Sequence, residues 1–235
     1  MTQRLDFIDV SHHQGVIDFN KVRSAGVIGV IMKATEGSTY VDDMYLSNRD
    51  NALLAGLKIA TYHYLHHGDT DNQMQHYLDT VMPEAGERLV IDYEENDCNI
   101  DDLVASVRWL KVNANFCELT VYGSAKLTED VENAEHVQLL KPTSLWIARY
   151  SSSQPEIASN VWKTWTAWQY SQTGTVPGVN GSVDTNSFNG SRENCEKWFG
   201  PVSQPEPSPQ TAVEISINTH GQPVVVSIDG NIVTS

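Results

Sequence analysis

The 235-residue chain is poor in cysteine: Cys98, Cys117 and Cys195 are its only three, and no CxxC spacing occurs. An odd, sparse set argues against a disulfide framework and reads as free thiols made in a reducing compartment. Basic residues are scarce too. Fifteen Lys and Arg stand against thirty Asp and Glu, a formal net charge of −15. Such a chain offers no basic patch for phosphates, so nucleic acid is not an expected partner, and anionic membrane surfaces are disfavoured. A neutral or sugar-like ligand is compatible with the charge. Long hydrophobic runs are missing: nothing approaches the ~20 apolar residues of a membrane span, so no membrane insertion is expected. Met1-Thr2-Gln3-Arg4 leads straight into a strand-like run without an apolar h-region or small-residue cleavage site. The expectation is synthesis in the cytoplasm without a secretory signal. No Cys/His cluster has zinc-ligand spacing, and the adjacent pairs His12-His13 and His66-His67 would face opposite ways on a strand. No metal and no cofactor are therefore expected.

What the chain does have is alternation. Short apolar runs at Leu5–Val10, Val27–Ala34, Lys58–Leu65, Leu89–Glu94, Leu119–Tyr122, Ser144–Tyr150, Thr164–Tyr170 and Ser182–Asn186 read as strands. Between several of them lie amphipathic segments. Ile100–Val112 is the clearest, with Ile100, Leu103, Val104, Val107 and Leu110 at helical spacing and Asp101-Asp102 in the first turn. Asp43–Ala55 and Asp71–Met82 follow the same logic. Strand–helix alternation predicts a parallel sheet with crossover helices, and eight strands predict a barrel. The last two strands lack a strong helix between them, so the closure is expected to be irregular. The fold class is α/β: an irregular TIM-like β/α barrel over residues 1–200. A Pro-rich linker, 201–210, and a short β-rich tail, 211–235, complete the chain. The tail alternates Val213, Ile215, Ile217 and Val224, Val226, Ile228 with polar residues, and His220-Gly221 and Asp229-Gly230 mark turns. It is shorter than the ~40 residues of an independent fold, so it must pack on something: the barrel, a partner or copies of itself. Homo-oligomerisation or wall attachment is its expected role.

In Leu89-Val90-Ile91-Asp92-Tyr93-Glu94 two acids stand two apart at a strand end. Strand side chains alternate, so both carboxylates project together, with Cα atoms about 6.6 Å apart. That distance suits a glycosidic bond held between an acid and a second carboxylate, although a solvated acidic strand end is the commoner meaning of a lone Asp-x-Glu. Barrel chemistry sits at the C-terminal ends of strands. Asp9 and Asp184 also fall near such positions, and a ring of four carboxylates is costly without a purpose.

Seven segments, in order, carry a resemblance. They are Asp9-Val10-Ser11-His12-His13-Gln14-Gly15, Lys33-Ala34-Thr35-Glu36-Gly37, Tyr62-His63-Tyr64, Asp92-Tyr93-Glu94, Leu145-Trp146-Ile147-Ala148-Arg149-Tyr150, Trp168-Gln169-Tyr170 and Val183-Asp184-Thr185-Asn186. Over residues 5–190 the chain resembles the glycoside hydrolase family 25 lysozymes. The resemblance implies an irregular barrel whose strands do not all run parallel. It implies hydrolysis of the β-1,4 bond from N-acetylmuramic acid to N-acetylglucosamine in peptidoglycan glycan strands. By matching position, Glu94 is the general acid, and Asp92, Asp9 and Asp184 complete the acidic site.

Glu94 must hold a proton near neutral pH; ionised Asp92 and Asp9 beside it, and burial among aromatic rings, are the expected reasons. Asp92 either supports the oxocarbenium-like transition state directly or orients the sugar's N-acetyl group for substrate-assisted attack. Candidates for the sugar-binding wall are Tyr62, Tyr122, Gln169, Glu36 and Trp146, with core packing the competing role for Trp146 and a loop hydrogen bond for Glu36. Rival readings are an inactive carbohydrate-binding barrel, an assembly protein driven by the tail, and a metal-dependent hydrolase. A chain without a secretory signal that acts on the cell wall fits a phage lysin released through a phage-encoded membrane hole, the preferred reading, and also a bacterial enzyme with unusual export.

Overall fold

The computed structural model describes residues 3–94, 97–129, 131, 133–201, 226–228 and 231–233. The chain divides into two compact units, Met1–Pro205 and Glu206–Ser235. In the first, eight strands close a barrel in the order β1 (Phe7–Val10), β2 (Gly29–Glu36), β4 (Lys58–Tyr64), β5 (Arg88–Asp92), β6 (Glu118–Gly123), β7 (Ser144–Ala148), β8 (Ala167–Gly174) and β9 (Val183–Phe188). The two-residue β3 (Tyr40–Val41) hangs antiparallel on β2. β9 runs antiparallel to both its neighbours, β8 and β1, while all other barrel pairs are parallel. The cause is local. Helices α1 (Phe19–Ser24), α2 (Tyr45–Leu54), α3 (Thr70–Val81) and α4 (Ile100–Asn113), then α5 (Ala125–Glu129) and α6 (Ala134–Leu140), carry the crossovers that parallel pairing needs. The β7–β8 crossover has no helix but runs over residues 149–166, whereas the β8–β9 connection has only residues 175–182, too few for a parallel crossover, so the chain turns straight back. No helix among the described residues is long and apolar enough to cross a membrane.

The eight strands expected from the sequence fall on the eight barrel strands, and the three expected helices fall on α2, α3 and α4. α4 begins where its cap dictates: the Asn99 side chain accepts the N–H groups of Asp101 and Asp102, and Asp102 accepts that of Asn99 at 2.9 Å. β3, α1, α5 and α6 were not anticipated, because segments of two to seven residues are too short to display a period.

Alternation along each strand sorts the side chains into two layers. Ile8, Val30, Met32, Leu89, Ile91, Val121, Leu145 and Ile147 face outward and pack with helix residues such as Val22, Met74, Tyr77, Leu103 and Val107. Phe7, Ile31, Ala60, Val90, Trp146, Ala167 and Phe188 face inward and pack with one another. The terminal helix α7 (Arg192–Phe199) plugs the end of the barrel where the parallel strands begin. Phe7 meets Trp198 and Phe199 with ring centroids 5.8 and 5.5 Å apart. Gly29 leaves the space for this: a Cβ there would stand 2.7 Å from the Phe199 ring. Arg88 is buried beneath the plug, donating to the Trp198 carbonyl at 2.6 Å and to Thr120 Oγ1 at 2.9 Å. Burial pulls its guanidinium down to about 10.

In the second unit, β10 (Val226–Ile228) and β11 (Asn231–Val233) pair antiparallel, with Val226 opposite Val233. The linker from residue 202 onward, the strand expected at Val213–Ile217, Val224, and both turns lie outside the described residues.

Candidate active site

On β1, β2, β4, β5 and β8, two residues beyond an inward apolar side chain the same strand face turns polar. Phe7 is followed by Asp9, Ile31 by Lys33, Ala60 by Tyr62, Val90 by Asp92 and Ala167 by Gln169. These side chains meet at the C-terminal mouth of the parallel strands and line a cleft of ≈ 270 Å³. Glu94, Asp184, Tyr64, Tyr122, Trp146 and Tyr150 line it as well, with Ser11, His13 and Gln172. The cleft thus gathers all four acids singled out in the sequence.

Two of them arrive by routes other than those expected. β5 ends at Asp92, so Glu94 is not on a strand tip. Tyr93 still donates its N–H to the Tyr122 carbonyl at 3.0 Å, and this one further step of alternation turns Tyr93 outward and Glu94 back to the cleft. The Glu94 carbonyl accepts the N–H groups of Asp97 and Cys98 at 2.9 and 3.3 Å, which fixes the turn behind it. Asp184 lies at the start of β9, not at a strand's C-terminal end, because the antiparallel β9 begins at the mouth. It stands directly opposite Asp9 in the β1–β9 ladder. Glu95, the next residue in the chain, lies outside the described residues.

Asp9 is the most heavily bonded acid. Gln169 Nε2 donates to both its oxygens at 3.0 and 3.2 Å, and Asn186 Nδ2 donates to Oδ2 at 2.7 Å. The hydroxyls of Tyr122 and Tyr150 donate to Gln169 Oε1 at 2.8 and 3.0 Å, so the amide cannot flip. Trp146 Nε1 donates to Asn186 Oδ1 at 2.8 Å, which fixes the second amide in the same way. Trp146 is only 2% exposed and packs edge-on against Tyr122 at 4.6 Å. It therefore acts as cleft floor and amide anchor together.

Burial, and then the facing Asp184 carboxyl, push Asp9 well above the usual carboxylate range. Burial also raises Asp184, against the hydrogen bond it makes with Asp9, so ionisation of both carboxyls together is disfavoured. Asp92 is likewise pushed well up, by burial and then by Glu94. Among the described residues, its Oδ1 is buried without a hydrogen-bond partner. Asp92 and Asp9 were expected as simple ionised neighbours of a protonated Glu94. Their burial, which sequence does not reveal, makes their own charges expensive.

Tyr62 lies within this acidic ring, and burial, then Asp92 and Asp9, hold its phenol neutral. Glu36 does not line the cleft. Lys33 and His66 Nε2, the latter at 2.9 Å, engage its carboxylate from two sides. Against the opposing effect of burial, those hydrogen bonds hold it below its ordinary value. His12 pairs with Asp42 through Nδ1 at 2.7 Å. Sequence reasoning assigned no role to Lys33, Tyr64, Tyr150 or Asn186, although each lies in or beside a quoted motif. The strand period applied to Lys33 and Asn186 was the signal that would have found them. No cluster of residues able to hold a metal ion occurs among the described residues.

The profile of glycosyl hydrolases family 25 matches residues 8–179. The autolytic lysozyme of Clostridium acetobutylicum is 35% identical over 186 residues, covering 77% of this chain and 55% of that protein. The chain thus spans about half the length of that relative. Lysozyme M1 of Streptomyces globisporus is 32% identical over 208 residues, covering 81% of this chain and 69% of its own length. Among solved structures, the bacterial lysozyme from Streptomyces coelicolor superposes with a TM-score of 0.70 at 27% identity, over 85% of this chain and 98% of that one.

Proposed function

Because the chain belongs to glycosyl hydrolases family 25, we propose that it is a lysozyme that cuts the β-1,4 bond from N-acetylmuramic acid to N-acetylglucosamine in peptidoglycan, acting at the bacterial cell wall. Glu94 is the general acid and donates its proton to the leaving glycosidic oxygen. The observation that carries the finer mechanism is the buried, unpartnered Oδ1 of Asp92 in the cleft. A buried acceptor left empty is costly, and a substrate N–H would satisfy it. The acetamido N–H of the sugar at the cleavage point fits that need. Held so, the acetamido oxygen attacks the anomeric carbon as the bond to the leaving sugar breaks. The transient ring that forms is then opened by water, with Glu94 now acting as base, and configuration is retained. Asp92 supports the positive charge that develops on the acetamido nitrogen. Asp9 and Asp184, with one proton between them, add hydrogen-bonding capacity without a second full charge.

The test is a digest of purified peptidoglycan, reduced with borohydride and read by mass spectrometry. Muramitol ends support the proposal. Glucosaminitol ends move the cut to the other linkage, and no new ends overturn it. Glu94→Gln keeps the shape and removes the transferable proton, so the rate should fall by about 10² or more. Near-normal turnover in that variant would overturn the acid assignment.

A further inference from the structure

We propose that Lys33 is a positioning residue of this site: carried to the cleft beside a strand bulge and held there by Glu36, its ammonium is the counter-charge that favours the carboxylate form of Asp92. This rests on the lysozyme reading above.

The β2–β4 register pairs Lys33 with Tyr62 but Thr35 with His63, so Ala34 is an extra residue. On a regular strand, residues three apart point to opposite faces. The bulge brings Lys33 and Glu36 to one side, where they form an ion pair. Lys33 Nζ also lies 4.9 Å from the centre of the Tyr64 ring and 5.8 Å from that of Tyr40. The residue is 8% exposed. It is the only Lys or Arg among the described residues that line the cleft. A bulge that buries a lysine against a ring of acids needs a reason, and Asp92 supplies it. Asp92 can support a developing cation only as a carboxylate.

The groups facing Asp92 divide by sign. Glu94, Glu36 and Asp184 oppose its ionisation, as burial does, and Lys33 favours it. Tyr62, Tyr64 and Tyr122 are held neutral by their own burial and the nearby acids, and so contribute no charge. Asp9 lies across the mouth with Asp184. His66, on the far oxygen of Glu36, moderates how much of the Lys33 charge that glutamate cancels.

The experiment follows release of muramitol ends from solubilised peptidoglycan across the acid limb of the kcat/KM profile. Lys33 favours the Asp92 carboxylate, so Lys33→Met should move the limb to higher pH by about one unit or more. Lys33→Arg keeps the charge and should restore the wild-type limb. Glu36→Gln removes an opposing charge and should move the limb the other way, to lower pH. A uniform loss of rate in Lys33→Met, with the limb unmoved, means a purely structural lysine and overturns the inference. As a readout that does not depend on turnover, the Asp92 carboxyl carbon can be titrated by NMR in wild type and Glu36→Gln; coincident curves also overturn it. A wild type that releases no muramitol ends refutes the lysozyme reading itself, and the two failures are thereby distinguished.

Discussion

Asp6→Asn separates the structural from the chemical acids of β1. The Asp6 side chain is wholly buried, accepting Arg4 Nε at 2.6 Å and the Phe188 N–H at 2.9 Å, with Arg192 Nη1 at 3.5 Å. It ties β1 to β9 and to the start of α7, on the face opposite Asp9. Removing one partner from a fully buried ion pair costs about 3–5 kcal/mol. Here the two guanidinium side chains are 39% and 46% exposed and can turn to water. The asparagine oxygen can still accept the Phe188 N–H. The expected loss is therefore smaller, about 1–2 kcal/mol. For a domain of this size that lowers Tm by roughly 2–8 °C. The rate on peptidoglycan, measured well below Tm, should stay within about twofold of wild type, a barrier change under ~0.5 kcal/mol. Calorimetry and reducing-end release read the two quantities separately. An unchanged Tm with a rate lowered about 10²-fold, the loss expected of a proton-transfer group, would refute the assignment of faces on β1.

Asp92→Asn should abolish most activity and yet raise Tm at neutral pH. The folded-state Asp92 carboxyl is raised above its unfolded value. Its contribution to stability is thus fully present below about pH 3.9 and is lost as pH climbs through the raised value. The amide removes that pH-dependent penalty, so the gain should fade in acid; a lower Tm at neutral pH would contradict the burial argument. At the other end of the barrel, Trp198→Ala should cost about 3–5 kcal/mol in urea unfolding. Gly29→Ala, whose added carbon meets the Phe199 ring at 2.7 Å and the Lys58 carbonyl at 2.9 Å, should cost about 1–3 kcal/mol. Losses below about 1 kcal/mol in both would show that α7 does not plug the barrel. Deleting residues 201–235 should lower the mass in solution and leave the barrel folded, if the tail mediates self-association; light scattering showing an unchanged mass refutes that role.

The barrel was legible because its strands are long enough to show their period and its helices α2, α3 and α4 are long enough to show theirs. Asp9, Asp92, Glu94 and Asp184 stood out as acids next to apolar runs, where water alone would not place them. Glu36 misled because, although the bulge at Ala34 turns it to the side of Lys33, its carboxylate is engaged by Lys33 and His66 and stays outside the cleft lining. Asp184 was found for a partly wrong reason, since strand direction at the closure depends on the short connection before β9. The protonation balance was not legible at all. It depends on how deeply Asp9 and Asp92 are buried and on which donors reach them, and both are properties of the closed barrel.

The same two-residue step that makes the cleft also explains how the chain tolerates it. On β1, β2, β4, β5 and β8 the inward position nearer the plug is apolar, and the next is polar or charged. Phe7 and Asp9 share one face of one strand: the first packs with Trp198 and Phe199, the second faces Asp184. Favourable burial at one end of the barrel offsets unfavourable burial at the other, within the same strands. Drift of the charged layer toward water is resisted because the apolar layer below is interlocked with α7, and because Gln169 and Asn186 are each fixed by further donors. Loosening the plug should therefore disturb the mouth before the barrel unfolds, whereas removing charge from the mouth should tighten the whole.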